Sequence, residues 1–265
     1  FYMRRPSIKP ASADKMAYPL PEKPSIAVLP FTNMSDDSKQ EYFCDGITED
    51  LITDLSKMSG IFVIARNSIF AYKGKSVNIR QVAEDLGVRY VLEGGVRKAD
   101  KNVRITAQLI DAIAGHHLWA ERYDGKLENV FKLKDEVTKK IVSALALKLT
   151  EGEQKRLKAR DTDSIAAYDA FLKGWSHYLR FTPEDFSKAI SHFKIAIDLD
   201  PNYSRAYAGL AQVYEDSWNL SWQIKLGLSA ADLRKKLRQN LEMAMKRNPS
   251  SLTHQALAKL LLFRR

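Results

Sequence analysis

Residues 24–55 read PSIAVLPFTNMSDDSKQEYFCDGITEDLITDL, and the two halves of this stretch follow different periodicities. Residues 24–31 form a short apolar run closed by Pro30 and the polar turn TNMSDDS, the pattern of a buried strand. Ile47, Leu51, Ile52 and Leu55 then fall at i, i+4, i+5 and i+8, one stripe of an amphipathic helix. Five carboxylates (Glu41, Asp45, Glu49, Asp50 and Asp54) surround this stripe, together with the chain's one cysteine, Cys44. Asp45 and Gly46 are expected at the helix start, with Glu49 and Asp50 in its early turns. Carboxylates there meet the positive end of the helix dipole. The acidic cluster thus reads as a helix beginning beside a core strand, its exposed carboxylates available as a docking face.

Working outward, GIFVIARNSIFAY predicts a strand and NIRQVAEDLG a helix that Gly87 ends in a left-handed cap. RYVLEGGVRKADKNVRITAQLIDA predicts a hairpin turning at ADKN, because Val103, Ile105, Ala107 and Leu109 alternate with polar residues. HHLWAERYDG adds a strand, and KLKDEVTKKIVSALALKL a closing helix. The order β-α-β-α-β-β-β-α predicts a mixed sheet covered by helices over residues 24–150. Residues 1–23, with several prolines, read as a linker, and 151–163 as a second, charged one.

From 164 to 265 the period is helical throughout, and an internal repeat appears. Ala189, Phe193, Ala196 and Pro201 have the spacing of a tetratricopeptide repeat, and Ala244 and Pro249 take the equivalent places in a second unit. Gly174 lies about three residues too far from Ala189 for a regular first unit. The second spacing requires residues near NLSWQIKLGLSAAD to loop out. A truncated repeat domain of this kind would bind a protein partner through the first helix of each pair. Arg205, Gln212, Glu215 and Asp216 are the candidate groove residues.

The chain has 265 residues, 45% hydrophobic and 28% charged, enough for two modest globular domains. A formal charge of +10 is spread over both halves in patches that read as solvated faces, without a nucleic-acid recognition motif. One cysteine excludes an internal disulfide and any cysteine-rich zinc site. No long apolar run spans a membrane, but FYMRRPS, residues 1–7, reads as the trailing edge of a membrane helix upstream.

Chemistry-bearing patterns are sparse. Cys44 has no histidine that the fold would place beside it, so a buried, inert thiol is expected. Asp45/Glu49 and Asp50/Asp54 share helix faces at i, i+4 but lack the loop a magnesium–phosphate site needs. His116 and His117 are adjacent in a strand and point to opposite faces, so they cannot chelate one ion. Glu93-Gly94-Gly95 lacks the glycine spacing of a phosphate cradle and suits a bulge or a close backbone contact. The residues therefore describe a chain that is not an enzyme and carries no cofactor.

The segments PSIAVLPFTNMSDDSKQEYFCDGITEDLITDLS, VIARNSIFAYKGKSVNIRQVAEDLGVRYVLEGGVRK and VRITAQLIDAIAGHHLWAERYDG closely resemble one bacterial family. It is the region downstream of the catalytic domain in membrane-bound class III adenylate/guanylate cyclases carrying tetratricopeptide repeats, notably in rhizobial-type proteobacteria. The same module follows the winged-helix domain of some transmembrane transcription regulators, and its α/β part is similar to the N-terminal domain of periplasmic TolB. The resemblance covers residues 22–265, departing at Cys44, where the family usually has alanine. It implies a TolB-like α/β domain followed by tetratricopeptide helices, acting as a sensory and scaffolding tail. It also implies a protein partner, a homodimer, and attachment to the bacterial inner membrane with this region in the periplasm. Arg4 and Arg5 weigh towards the cytoplasm instead. The F-T-D-I-like metal motif of a class III cyclase is absent from Phe1 to Arg265. The alternatives are the receiving tail of a winged-helix regulator and a free-standing TolB-like envelope adaptor.

Overall fold

The computed structural model describes residues 9–247 and 249–262. FYMRRPS, read as a membrane edge, lies outside the described residues. The chain divides into two compact units between Lys158 and Ala159.

The first unit is built on a six-stranded mixed sheet. Strands β1 (Ser25–Val28) and β2 (Thr32–Asn33) precede helix α1 (Glu41–Ser56), and β3 (Phe62–Val63) precedes helices α2 (Arg66–Phe70) and α3 (Ile79–Leu86). The hairpin β4 (Tyr90–Ala99) and β5 (Asn102–Asp111) turns at the expected residues, and β6 (His116–Lys126) adds an edge. Helices α4 (Val130–Ala144) and α5 (Glu151–Lys158) follow. The order is β3-β1-β4-β5-β6, with β2 pairing alongside β4. Pairs β1/β3, β1/β4 and β2/β4 are parallel, and β4/β5 and β5/β6 antiparallel.

The chain leaves β1 towards β3 and returns past it to β4. Right-handed crossovers in opposite directions put their helices on opposite faces. Ile69, Ile79, Val82 and Ala83 of α2 and α3 accordingly pack with Ala27, Leu29, Val91 and Ile110. On the other side α1 approaches β4, where the Cys44 thiol faces the Val96 carbonyl at 3.8 Å. Every residue of β1 is buried, as a strand covered on both faces must be.

Three local expectations are corrected. Helix α1 begins at Glu41, four residues before Asp45, because a 3₁₀ turn at Ser38–Gln40 feeds into it. Asp37 starts that turn by accepting the Lys39 N–H at 2.9 Å. The segment expected as one strand, GIFVIARNSIFAY, is strand only at Phe62–Val63 before turning into α2. Its partner β1 offers a register of just Ser25↔Phe62 and Ile26↔Val63, and Arg66 is drawn to Glu49 at 3.0 Å. Neither stretch expected as a linker is free. The Ala11 N–H donates to the Ala112 carbonyl at 2.7 Å, and Ser12 N–H to Glu84 Oε1 at 3.0 Å. Residues Glu151–Lys158 form α5, whose Glu153 accepts the Ser59 and Thr150 N–H groups at 2.7 and 2.8 Å. Those bonds lower its carboxyl pKa to about 2.

The second unit is all helix: α6 (Ile165–Tyr178), α7 (Pro183–Leu199), α8 (Ser204–Asn219), α9 (Ala230–Lys246) and α10 (Ser251–Leu262). Ser164, Thr182 and Ser229 cap α6, α7 and α9 through their hydroxyls, and Pro183 opens α7. Helices α6/α7 and α8/α9 pack as consecutive pairs, with α8 also against α7 and α10. Residues 220–229 form the loop expected between α8 and α9. Phe193 of α7 is fully buried between two glycines. A Cβ on Gly174 or on Gly209 would stand 2.8 Å from its ring. Gly174, out of register by sequence spacing, thus packs directly against the Phe193 ring.

Gly209→Ala is expected to destabilise the helical unit by about 2 kcal/mol, because Phe193 is held on both sides and cannot retreat. Urea unfolding followed by far-UV circular dichroism measures it. An unchanged midpoint would show that the ring has room the packing does not indicate.

Candidate functional site

The acidic face of α1 is matched cation by cation from other elements. Lys73, in the loop after α2, bonds Asp45 and lies 3.2 Å from Glu41. Arg66 holds Glu49 at 3.0 Å and lies over the Phe70 ring at 3.9 Å. Lys134 of α4 reaches Asp54 at 2.6 Å and Asp50 at 3.9 Å, and Lys57 also bonds Asp54 at 2.7 Å. Asp50 and Asp54 are each only 6% exposed. The cluster is thus a structural seam and not an exposed docking face. Apart from Glu41 it lies past the first turn of α1, so the helix dipole does little for it; neighbouring cations do the work. Burial pushes the Asp45 carboxyl up, against the pull of Lys73. Burial, with Glu41 and Asp45 nearby, pushes the Cys44 thiol up to about 12, which suppresses the nucleophilic thiolate.

Beside this seam lies a cleft of about 770 Å³ at the carboxyl end of β1. Its walls are the β1–β2 segment from Leu29 to Met34 and the loop Tyr72–Val77 between α2 and α3. Its floor is the middle of β4 and β5. Gly94 and Gly95 are the floor's close approaches. A Cβ on Gly94 would overlap the Thr106 carbonyl, and one on Gly95 would come within 2.7 Å of Met34 Cε. The close backbone contact expected of this glycine pair is therefore real, with Phe31 and Met34 as its occupants.

The cleft's polar equipment is mixed in sign. Gln108 donates to Glu93 across the floor, Lys73 is tied to Glu41 and Asp45, and Lys75 projects from the same loop. No group of three or more His, Cys, Asp or Glu residues among the described residues is arranged to hold a metal ion. The arrangement suits recognition of a small polar molecule.

The four groove residues named from sequence all lie on α8, but they do not share an open surface. Arg205 pairs with Asp161 at 3.6 Å and stacks over Phe171 at 4.6 Å. Gln212 and Glu215 are buried, at 2% and 3% exposure. Asp216 accepts the Tyr178 hydroxyl at 2.6 Å and lies 3.7 Å from Lys259 of α10. Helix α8 is packed by α6, α7, α9 and α10 at once, so polar character along it does not mark exposure. Neither Glu215 oxygen nor Gln212 Nε2 has a hydrogen-bond partner among the described residues. Burial, reinforced by Asp216 and opposed by Lys259, raises the Glu215 pKa to about 7.

Residues 22–143 match the family model described as the second domain of HilA/YgeH-like transcriptional regulators. A Rhizobium meliloti (strain 1021) protein named "Putative adenylate cyclase 3" is 52% identical over 204 residues. The match takes in 76% of this chain and 35% of the relative, so the chain spans about a third of that protein's length. Among solved structures, TolB from Acinetobacter baumannii is similar at 17% identity and a TM-score of 0.35, over 48% of this chain and 29% of TolB. Lipoprotein GNA1162 from Neisseria meningitidis is similar at 20% identity and a TM-score of 0.34, over 47% and 99%. No helix among the described residues is long and apolar enough to cross a membrane.

Two expected outcomes follow from the buried charges. Lys134→Ala removes the buried cation between Asp50 and Asp54, leaving Asp54 to Lys57, and should destabilise the first unit by about 3 kcal/mol in urea unfolding. Asp54 and Asp50 raise the Lys134 pKa despite its burial, so this stabilisation is complete below the ordinary value of 10.5 and is lost as pH rises above it. Glu215 has the opposite charge type and its pKa is also raised. Its folded form binds the extra proton, so stability is greatest below the ordinary value of 4.5 and falls as pH climbs through about 7. Glu215→Gln should remove that slope, worth on the order of 3 kcal/mol, in thermal melts across this range. An equal slope in both proteins would assign it to another group.

Proposed function

We propose that this chain is a non-catalytic regulatory and protein-interaction region of a membrane-bound class III nucleotidyl cyclase. The observation carrying this reading is 52% identity over 204 residues with the Rhizobium meliloti protein named for adenylate cyclase activity. The match to a transcriptional-regulator domain supports a regulatory rather than a catalytic role for residues 22–143. In this reading the first unit senses a small polar ligand in the β1 cleft, and the paired helices act as tetratricopeptide repeats that dock a protein. A periplasmic position beyond an inner-membrane helix, and dimerisation, complete the proposal.

A second reading has its own observation. The HilA/YgeH-like match favours the receiving part of a transcription regulator, with a DNA-binding domain elsewhere in the same protein.

The test is to express the complete coding sequence with and without residues 24–158 and to measure cellular cyclic AMP and cyclic GMP. The cyclase reading expects nucleotide synthesis in both, with a level or a signal response changed by the deletion. No cyclic nucleotide from the complete protein, together with sequence-specific DNA binding, would replace it with the regulator reading.

A further inference from the structure

The loop between α8 and α9 does something its sequence does not announce: it holds an isoleucine out into water. Ile224 is 82% exposed. It is not on a loose segment. The Trp222 N–H donates to the Ser217 carbonyl at 2.8 Å, Leu226 N–H to Trp222 at 3.1 Å, Gly227 N–H to Ile224 at 3.0 Å, and Leu228 N–H to Gln223 at 2.9 Å. These bonds wind residues 222–228 into a compact turn with Ile224 near its tip. The turn is fastened to the connection between α6 and α7. The Trp222 ring stands edge-on to Phe186 at 5.1 Å and to Phe181 at 6.0 Å. Phe181 is itself 50% exposed, and Leu220 is 38% exposed. Phe181 and Ser221 both take left-handed backbone conformations, at φ 57° and 56°, unusual for residues other than glycine. The backbone is thus committed to presenting this aromatic and aliphatic tip.

The charge around the tip is predominantly basic, with Glu184 and Asp185 at the start of α7 and Asp232 at the start of α9 as the acids beside it. In residues 179–182 and 220–229 the charged residues are Arg180 and Lys225. Arg180 is 3.4 Å from Asp185, itself bonded to His177, and its side chain remains 59% exposed. Helix α9 then contributes Arg234, Lys235, Lys236 and Arg238 against Asp232. A second copy of the chain, carrying the same formal +10, would bring like charges together at this surface. A bilayer with anionic headgroups has the complementary sign and accepts a convex apolar tip without a preformed pocket. Tryptophan and phenylalanine beside a protruding isoleucine, rimmed by lysine and arginine, are the residues that settle at a membrane–water interface.

We propose that the α8–α9 loop, together with Phe181, is a membrane-surface anchor that inserts Ile224 into an anionic bilayer. This inference concerns a different surface from the cleft and stands whether or not the parent is a cyclase.

The test uses the whole chain with phosphatidylcholine vesicles, with and without phosphatidylglycerol, in co-sedimentation at low and physiological salt. Binding is expected to the anionic vesicles, with the intrinsic tryptophan fluorescence quenched by brominated acyl chains. Ile224→Asp should weaken it about tenfold, and Lys225→Gln about fivefold on anionic vesicles. Because Ile224 packs on little, Ile224→Asp should keep the wild-type melting temperature, so loss of binding reports the surface and not the fold. Failure to bind anionic vesicles at low salt overturns the proposal. So does Ile224→Asp binding as tightly as wild type, which would reduce the effect to net charge. Self-association in sedimentation velocity that Ile224→Asp abolishes would assign the tip to a second copy, and capture of an acidic protein without vesicle binding would assign it to a protein partner.

Discussion

The first unit depends on a four-residue strand with neighbours on both sides. Ser25–Val28 runs parallel to β3 on one edge and to β4 on the other. Its side chains alternate between two apolar layers, and none meets water. A strand so placed requires helices on both faces, and the two crossovers that supply them depart in opposite directions. The cleft lined by Leu29–Met34 and Tyr72–Val77 lies at the carboxyl end of this strand, over β4 and β5. The hairpin glycines belong to the same constraint. Gly94 and Gly95 leave room for Phe31 and Met34 of the chain leaving β1, which runs alongside β4.

The α1 carboxylates show how a helix with many acids can sit against a core. Its buried side chains, including Phe43, Ile47, Leu51 and Leu55, face the sheet, and its acids form the borders of that face. Each border meets a cation from a different element: Lys73 after α2, Arg66 at the start of α2, Lys134 on α4. Such pairs add little net stability relative to apolar packing, but breaking one strands a charge in a dry place. They therefore specify which helix lies where.

In the second unit one aromatic ring plays a comparable part. Phe193 needs glycine on the helix before it and glycine on the helix after it, so α6, α7 and α8 approach closely around a single side chain. Phe171 and Tyr203 complete the cluster, Phe171 lying 5.5 Å from Phe193 and 5.3 Å from Tyr203. The crowding leaves α8 surrounded, which is why Glu215 is inside and poorly solvated. The loop after α8 packs Trp222 on Phe186 and turns Leu220 and Ile224 outward.

Local chemistry determined much of this protein. Alternation in Val103–Leu109, the turn at ADKN, the Gly87 cap and the apolar stripe of α1 each depend on residues close in sequence, and each is where its pattern placed it. The mixed sheet followed by helices follows from the order of those elements. Tertiary structure decided the rest, because the deciding partner lies far along the chain. The length of β3 depended on how much of β1 was available, and the start of α1 on the turn that leads into it. The fate of the α1 acids depended on cations 17 to 80 residues away. The four polar residues chosen on α8 looked alike in sequence, yet they divide into two that are buried and two that are tied to neighbours. Exposure is a property of what packs against a helix, and only the assembled helices contain that information.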